Sequence, residues 1–364
     1  MRILVAPDKF KGSLGAGEAG ARIAAGLRTI LPQAEIEIRP VADGGEGTAE
    51  AIRHALQGEW MECRAHDALG REIWARYAWL PGSGTAVLEM SAAAGWAQVA
   101  PNERNPLLAS TLGVGEMIHA AAALGAQRIV VGLGGSATND GGCGLARALG
   151  FRFLDASERN IESMAALENL ERIAWPNDVV LPPITAAADV RNPLLGPRGA
   201  TRTFGPQKGA TPDQIEILER ALRRLADVAA RAGRDLRDFP GAGAAGGLGF
   251  GLLAFCGAEV RPGFEVVAEA LDLRREIAQA NYVITGEGSL DRQTLEGKAP
   301  AGVARIAREL GKPVFAIVGK ASADEDVRAL FDGILSLDDE PPAYSRAAEL
   351  LERRARALAL SWRA

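Results

Sequence analysis

Six segments of the sequence combine glycine with lysine, carboxylate or hydroxyl residues, which suits binding of phosphate, metal ions or carboxylate groups. Glycine lets the backbone approach a ligand closely, and free N–H groups at a helix start favour anions. Phosphoryl transfer needs positioning and charge neutralisation more than a covalent nucleophile, so these residues favour that chemistry. In chain order the segments are Ala6–Leu14, Ala42–Thr48, Gly132–Gly142, Ala187–Gly196, Phe204–Ala210 and Thr285–Pro300.

The first two segments each follow a predicted strand. Lys9 stands where the first helix begins, and it could supply a cation beside that helix start. The turn after the second strand carries Asp43, whose carboxylate could hold Mg²⁺ or a substrate hydroxyl. The alternatives are a solvated βα loop and a plain turn with an N-cap. Further candidate binding residues in these two segments are Ser13, Gly44, Gly45 and Glu46.

The third segment matches a dinucleotide fingerprint at Gly132, Gly134 and Ala137, with Asp155 near the expected ribose-binding position. That reading needs a helix packed tightly at Ala137, where residues 138–142 extend the loop instead. We therefore prefer a nest of N–H and hydroxyl groups that holds phosphate. The candidate binding residues are Gly134, Gly135, Ser136, Asn139 and Asp140.

The remaining segments supply further charges. Asp189 ends an apolar run, where a carboxylate is costly unless it is paired or bound, and Lys208 lies in a turn that would aim one lysine. Glu287 and Asp291 follow another predicted strand, and no Walker sequence occurs in the chain. The candidate binding residues of these segments are Arg191, Asn192, Gly286, Gly288 and Lys298.

Composition excludes several classes of protein. The chain has 364 residues and a net charge of −5 with mixed signs throughout, which argues against nucleic-acid binding. Three scattered cysteines form neither a disulfide framework nor a zinc set, and indicate a reducing cytoplasm. We expect no export signal. Residues 239–258 carry no charge but include seven glycines, so we expect a glycine-rich turn and a buried helix around Gly247–Phe255, with no membrane span.

Short β-branched runs alternate with helical stretches at both chain ends, which predicts parallel βαβ units and an α/β fold. Three closely spaced strands in the middle predict a β-meander. The simplest architecture is a doubly wound, Rossmann-like parallel-sheet domain built from residues 1–60 and 281–364. An α+β domain of residues 61–280 is then inserted, and we expect the active site in the cleft between the two domains.

Taken together, the six segments resemble those of the class I glycerate kinase family, and they occur in the family's order over nearly the whole chain. The matching sequences are APDKFKGSL, ADGGEGT, GGSATNDGG, DVRNPLLG, FGPQKGA and TGEGSLDRQTLEGKAP. The resemblance implies two α/β domains and transfer of a phosphoryl group from ATP, with Mg²⁺, to D-glycerate, mostly giving 2-phosphoglycerate. Other readings are 3-phosphoglycerate as product, an NAD-dependent hydroxy-acid oxidoreductase, and a non-catalytic sensor of small acids.

A mechanistic hypothesis follows from this resemblance. Lys9, Lys208 and the glycine nests neutralise the γ-phosphoryl charge. Asp189 is the first choice for the base on the glycerate hydroxyl, and Asp43 is the second. The candidate metal ligands are Asp43, Glu287 and Asp291, of which the last two could also bind ribose. Arg191 or Lys298 could hold the glycerate carboxylate. We expect a monomer or homodimer whose partners are small molecules.

Overall fold

The computed structural model describes residues 1–177, 179–337 and 346–362 and shows an α/β protein. In chain order the strands are β1 Arg2–Pro7, β2 Glu35–Ile38, β3 Glu59–His66, β4 Glu72–Leu80, β5 Thr85–Glu89, β6 Arg128–Gly132, β7 Arg152–Leu154, β8 Arg172–Ala174, β9 Ile184–Ala187, β10 Glu259–Arg261, β11 Tyr282–Gly286, β12 Ser289–Leu290, β13 Val314–Val318, β14 Lys320–Ala321 and β15 Gly333–Ser336. The α-helices are α1 Ala16–Ile30, α2 Thr48–Ala55, α3 Ser91–Ala94, α4 Leu112–Ala123, α5 Cys143–Ala148, α6 Ala200–Phe204, α7 Pro212–Arg231, α8 Ala244–Cys256, α9 Gly263–Ala270, α10 Leu273–Gln279, α11 Ala299–Glu309, α12 Glu325–Arg328 and α13 Ala347–Ser361.

The chain divides into two compact units. The first consists of Met1–Gly58 and Pro262–Ala364, and the second of Glu59–Arg261. The sequence placed the second boundary near residue 280, whereas the structure places α9 and α10 in the first unit. Both helices pack against α11, and α10 also contacts β1. Part of the helix predicted over Tyr344–Ser361 lies outside the described residues.

The sheet of the first unit is entirely parallel, with the order β2-β1-β11-β13-β15. Numbered by the strands of this sheet alone, this is the order 2-1-3-4-5, the flavodoxin-type variant of a doubly wound sheet. The predicted fold class is thereby confirmed. In such a sheet the order reverses between β1 and β11, and ligands bind outside the carboxyl ends of the strands at that point.

The hydrophobic core of this unit explains why the sequence of β1 is a short, continuous apolar run. Ile3–Ala6 are almost completely buried, because helices cover both faces of a parallel doubly wound sheet. Ile23 and Leu27 of α1 pack into the same core as Leu351 of α13. These residues hold the carboxyl ends of the central strands in fixed positions.

The second unit contains a mixed six-stranded sheet with the order β10-β9-β6-β5-β4-β3. Strands β3, β4 and β5 form the predicted antiparallel meander, while β5, β6, β9 and β10 run parallel. The loops that follow β6 and β9 therefore leave the same edge of the sheet. These loops contain the Gly132–Gly142 and Ala187–Gly196 segments.

Helix α8 agrees with the prediction of a glycine turn followed by a buried helix. Its first turn is left-handed at Ala245, Gly246 and Gly247, and every residue from Ala244 to Phe255 is buried. Ala245 has φ +53°, a region that L-residues other than glycine enter at a cost. Across the described residues, no helix is both long enough and apolar enough to cross a membrane.

The contact between α1 and α13 gives a stability prediction. A Cβ atom at Gly26 would lie 2.3 Å from the Glu352 carbonyl oxygen. We therefore expect Gly26→Ala to lower the free energy of unfolding by about 1–3 kcal/mol, as overpacking does. The control is Gly17→Ala in the same helix, where the nearest atom would lie at 4.0 Å. Urea unfolding followed by circular dichroism compares the two variants, and equal stabilities would contradict the prediction.

Candidate functional site

The first group of candidate residues lies where the strand order of the parallel sheet reverses. Asp8 follows β1 directly, and Glu287 follows β11. The Asp8 backbone N–H donates to the Gly286 carbonyl oxygen at 2.8 Å, so the two strand ends remain paired up to these residues. Sequence reasoning missed Asp8, although a carboxylate directly after a buried strand was the signal used for Asp189.

Both carboxyl groups are buried and carry raised pKa values. Asp8 is 6% exposed, and burial, reinforced by the Asp43 charge, raises its pKa to about 8. Glu287 is also 6% exposed, and burial raises its pKa to about 7. Hydrogen bonds oppose these shifts: the Lys9 N–H donates to Asp8 Oδ1 at 2.6 Å, and the Thr294 hydroxyl donates to Glu287 Oε1 at 2.8 Å.

Two lysines lie beside these carboxylates. Lys298 Nζ lies 3.9 Å from Glu287 Oε2 and 3.8 Å from Asp291 Oδ1. Lys9 Nζ donates to the carbonyl oxygen of Glu46 and so ties the first segment to the second. We call Asp8, Asp43, Glu287 and Asp291 the carboxylate cluster. Because burial raises the pKa values of Asp8 and Glu287, their ionised forms are costly unless a cation lies close to them.

The turn at Asp43 is held by close backbone packing. Asp43 Oδ1 accepts from the Gly45 N–H at 3.1 Å, and Gly44 has φ +88°. A Cβ atom at Gly263 would lie 2.0 Å from the Asp43 carbonyl oxygen, so α9 can begin against this turn only with glycine at that position. The same contact explains why residues after 261 belong to the first unit.

Other predicted residues of this unit have local roles. The Ser13 hydroxyl donates to the Phe10 carbonyl oxygen at 3.0 Å and closes the first loop. A Cβ atom at Gly286 would lie 2.2 Å from the Ile317 carbonyl oxygen, so this glycine permits strand packing. Gly288 has more room, with the Lys11 nitrogen at 3.2 Å from such an atom. The Glu46 side chain is exposed.

The second group of candidate residues surrounds Lys208 in the other unit. Lys208 is 3% exposed, and its Nζ donates to Ser136 Oγ at 2.6 Å and to the Thr138 carbonyl oxygen at 2.7 Å. Burial lowers its pKa to about 7, against the opposing effect of the Asp140 charge. A buried ammonium held by neutral groups on a glycine-rich loop is well placed to gain from an incoming anion.

Asp140 organises this loop from inside the protein. It is 1% exposed, and its carboxylate accepts from the N–H groups of Thr111, Gly142 and Gly144 and from the Thr111 hydroxyl, at 2.8 to 3.1 Å. Asn139 is fully buried and donates to Thr201 Oγ1 at 2.9 Å. The donors around Asp140 give its carboxylate a positioning role, whereas Asn139 Oδ1 has no hydrogen-bond partner among the described residues. Ligand contact by Asn139 and Asp140 stays a prediction.

The loop after β9 carries the remaining candidates. Asp189 and Arg191 are exposed, so the burial cost that drew attention to Asp189 does not apply. Asn192 Nδ2 donates to the Arg198 carbonyl oxygen at 2.7 Å and braces the loop. The Gly196 N–H lies 3.4 Å from Glu219 Oε2 of α7, which packs beneath it. Asp189 and Arg191 are therefore accessible to a ligand.

The dinucleotide fingerprint of the third segment is not formed. The helix after β6 is α5, which begins at Cys143 and not at Ala137. Asp155 lies in a tight turn after β7, where its carboxylate accepts from Ser157 and Arg159. The ribose-binding reading of Asp155 is wrong because these local bonds occupy the carboxylate.

Comparisons with known proteins agree over the full chain. The model of the glycerate kinase family matches residues 3–363. A glycerate kinase of Bacillus subtilis (strain 168) is 42% identical, covering 99% of this chain and 97% of the relative. A glycerate 2-kinase of Escherichia coli (strain K12) is 40% identical, covering 99% and 97%.

A crystal structure from Salmonella typhimurium LT2, assigned as a glycerate kinase 2, has the same fold. It superposes with a TM-score of 0.89 at 42% identity, covering 100% of this chain and 98% of that chain. Sequence and structure thus agree over both units. The chain therefore belongs to the glycerate kinase family, and it is an enzyme with glycerate kinase activity.

Proposed function

We propose that this chain transfers the γ-phosphoryl group of ATP to the 2-hydroxyl of D-glycerate, forming 2-phosphoglycerate and ADP. The observation that carries this proposal is the buried Lys208 ammonium on the Ser136–Thr138 loop, in a chain that belongs to the family. The name of the Escherichia coli relative, glycerate 2-kinase, supports the 2-position.

The reaction can be assigned to particular residues. The glycerate hydroxyl oxygen forms a bond to the γ-phosphorus while the bond from that phosphorus to the bridging oxygen of ADP breaks. Lys208 and the N–H groups of Gly134 and Gly135 stabilise the charge on the transferred group. Asp189 accepts the hydroxyl proton, which it can do because its side chain is exposed. Asp43 is the alternative base.

The carboxylate cluster fits a Mg²⁺ ion. Mg²⁺ usually binds one or two carboxylates together with phosphate oxygens and water, and burial disfavours the ionised forms of Asp8 and Glu287, which a bound cation would stabilise. We assign Asp43, Glu287 and Asp291 to the metal and add Asp8. When bound, Mg²⁺ would neutralise charge on the phosphates of ATP. Within the described residues, no group of three or more His, Cys, Asp or Glu side chains is arranged to hold a metal ion, so Mg²⁺ would be held by one or two of these carboxylates together with the phosphates of ATP and water.

The glycerate carboxylate needs a cation. Lys298 lies within 4 Å of both Glu287 and Asp291, so its charge is already shared with two carboxylates. Arg191 is exposed two residues after Asp189, on the same loop. We therefore assign the substrate carboxylate to Arg191, which can bind it through two parallel hydrogen bonds.

The base assignment predicts a large loss for Asp189→Asn. The amide keeps the shape of the side chain but does not accept the hydroxyl proton, so we expect kcat to fall about 10²-fold or more. The matched control is Asp238→Asn at an exposed position of the same unit, which should retain wild-type kcat. Near-normal turnover of a folded Asp189→Asn variant would remove this residue from the base role and direct attention to Asp43.

The product itself tests the function. Purified protein is incubated with Mg-ATP and D-glycerate, and ³¹P NMR follows the phosphomonoester region. A new peak that matches added 2-phosphoglycerate supports the proposal. A peak that matches 3-phosphoglycerate contradicts the assigned position, and no peak from folded protein contradicts glycerate as the acceptor.

A further inference from the structure

Trp96 lies between two of the glycine-rich loops, although no sequence motif singled it out. It begins a short 3₁₀ turn, Trp96–Gln98, shortly after β5. Its backbone N–H donates to the Gly135 carbonyl oxygen at 2.8 Å. Its indole Nε1–H donates to the Gln207 carbonyl oxygen at 3.3 Å. One residue therefore contacts both the loop that contains Ser136 and the loop that contains Lys208.

The backbone contact is part of a short pairing of two segments. Gly95 and Ser136 form an antiparallel bridge, and the Ala137 N–H donates to the Ala94 carbonyl oxygen at 2.9 Å. A Cβ atom at Gly95 would lie 2.2 Å from the Ser91 carbonyl oxygen, so the approach to Trp96 is tight. The backbone of residues 94–96 thus fixes the position of the Ser136 loop.

The Trp96 side chain is 41% exposed, and two contacts restrain its indole ring. The Arg104 guanidinium carbon lies 3.5 Å from the centroid of the Trp96 ring, in cation–π contact. The Arg104 backbone also packs against the second loop, since a Cβ atom at Gly209 would lie 2.9 Å from the Arg104 carbonyl oxygen. An indole with one face covered and its N–H bonded has little freedom to turn.

These contacts close a ring of interactions around Lys208. Trp96 bonds to Gly135 on one side and to Gln207 on the other, and Lys208 Nζ bonds back to Ser136 Oγ at 2.6 Å. Gln207 directly precedes Lys208. The hydrogen bond from the Trp96 indole therefore holds the backbone next to Lys208 and so affects where its ammonium group lies. Trp96, Gly135 and Gln207, which are far apart in sequence, thus fix the position of the Lys208 side chain.

We propose that Trp96 is a positioning residue for phosphoryl transfer, which holds the Gln207–Lys208 backbone through its indole N–H and so aims the Lys208 ammonium at the transferred phosphoryl group. This rests on the role proposed above for Lys208. Displacement of a catalytic group by about 1 Å can cost about 100-fold in rate. The effect should fall on kcat, because this role gives Trp96 no contact of its own with either substrate.

The first test compares Trp96→Phe with Trp74→Phe. Phenylalanine keeps a ring for Arg104 to cover but removes the N–H donor, and Trp74 is an exposed tryptophan of β4 in the same unit. We expect Trp96→Phe to lower kcat about 10-fold with less than a two-fold change in either KM. Trp74→Phe should stay within two-fold of wild type. An unchanged kcat in Trp96→Phe would overturn the inference.

A second background separates positioning from general destabilisation. Once Lys208→Met has removed the ammonium, its aim no longer matters, so Trp96→Phe should cause no further loss of kcat in that background. The same fold loss in both backgrounds would overturn the inference while leaving the role of Lys208 intact. A Lys208→Met variant with wild-type kcat would instead overturn the proposed role of Lys208, and the role of Trp96 with it.

If Trp96→Phe does not fold, the sulfur isostere β-(3-benzothienyl)alanine at position 96 replaces it. This residue has the shape of tryptophan and lacks only the N–H donor, so packing against Arg104 is retained. We expect the same loss of kcat, with a melting temperature within a few degrees of wild type. Wild-type kcat with the isostere would overturn the inference.

Discussion

Lys208→Met is expected to lower kcat about 10³-fold, the upper end of what is found when a preorganised group that stabilises transition-state charge is removed. Methionine has nearly the length of lysine and fits a buried position, but it carries no charge and no donor. The KM for glycerate should change little, because the ammonium is assigned to the phosphoryl group. Initial rates of ADP formation measure both constants.

The stability of this variant distinguishes catalysis from folding. Lys208 is 3% exposed, and its low pKa shows that the folded protein disfavours the charged form. Removing the ammonium removes that cost, which offsets the two lost hydrogen bonds, so the melting temperature should stay close to that of wild type. The control is Lys312→Met, outside both groups of candidate residues, which should keep full activity. A Lys208→Met protein that is both folded and active would contradict the assignment.

The pH dependence has a defined sign. With a pKa of about 7, Lys208 of the free enzyme is charged below that pH and neutral above it. We therefore expect kcat/KM for ATP to fall as the pH rises above about 7, since kcat/KM reports ionisations of the free enzyme. This descending limb should be absent in Lys208→Met. A limb that persists at the same pH in the variant would assign it to another group.

The fold was largely predictable from the sequence, because its strongest signals are local. The apolar run at Ile3–Ala6 and the helical spacing of Ile23 and Leu27 predict a strand and a helix by periodicity alone. The boundary between the two units was harder to predict from the sequence. It depends on the contact of Gly263 with the Asp43 carbonyl oxygen, which joins residues more than 200 positions apart.

The candidate site was predictable as segments but not as individual roles. The local sequence places Asp140 on a glycine-rich loop. Only the structure shows that its carboxylate accepts hydrogen bonds from buried N–H and hydroxyl groups. Trp96 lies between Gly95 and Ala97 in no recognisable motif, since its importance depends on two distant loops. The signal used for Asp189 also applies to Asp8, but the prediction for that loop was based on the charge of the neighbouring Lys9.

Asp8→Asn is expected to stabilise the protein at pH 8 while abolishing most of its activity. Asparagine keeps the oxygen that accepts from the Lys9 N–H and removes the charge that burial and Asp43 disfavour. One pKa unit corresponds to about 1.4 kcal/mol. Because the pKa of Asp8 rises from 3.8 to about 8, we expect a gain in unfolding free energy of about 2 kcal/mol or more. The kcat should fall about 10²-fold if Asp8 is a ligand for Mg²⁺ as proposed.

The pH dependence of that gain follows from the raised pKa. Between about pH 4 and pH 8 the folded protein keeps a proton on Asp8 that the unfolded chain has released, so the stability of the wild type falls as the pH rises through this range. Asparagine does not titrate, so the advantage of Asp8→Asn should be small at pH 4 and largest at pH 8. Thermal unfolding across this range measures it, with Asp238→Asn as the control that should show no such slope.

Added Mg²⁺ gives the complementary measurement on the same proteins. A cation that binds the folded form and interacts with the Asp8 carboxylate offsets the cost of ionising it, so Mg²⁺ should raise the melting temperature of the wild type at pH 8. The rise should be much smaller in Asp8→Asn and unchanged in Asp238→Asn. Equal Mg²⁺ effects in all three proteins would contradict the assignment of Asp8 to the metal. An Asp8→Asn variant that melts below the wild type at pH 8 would instead contradict the raised pKa of Asp8.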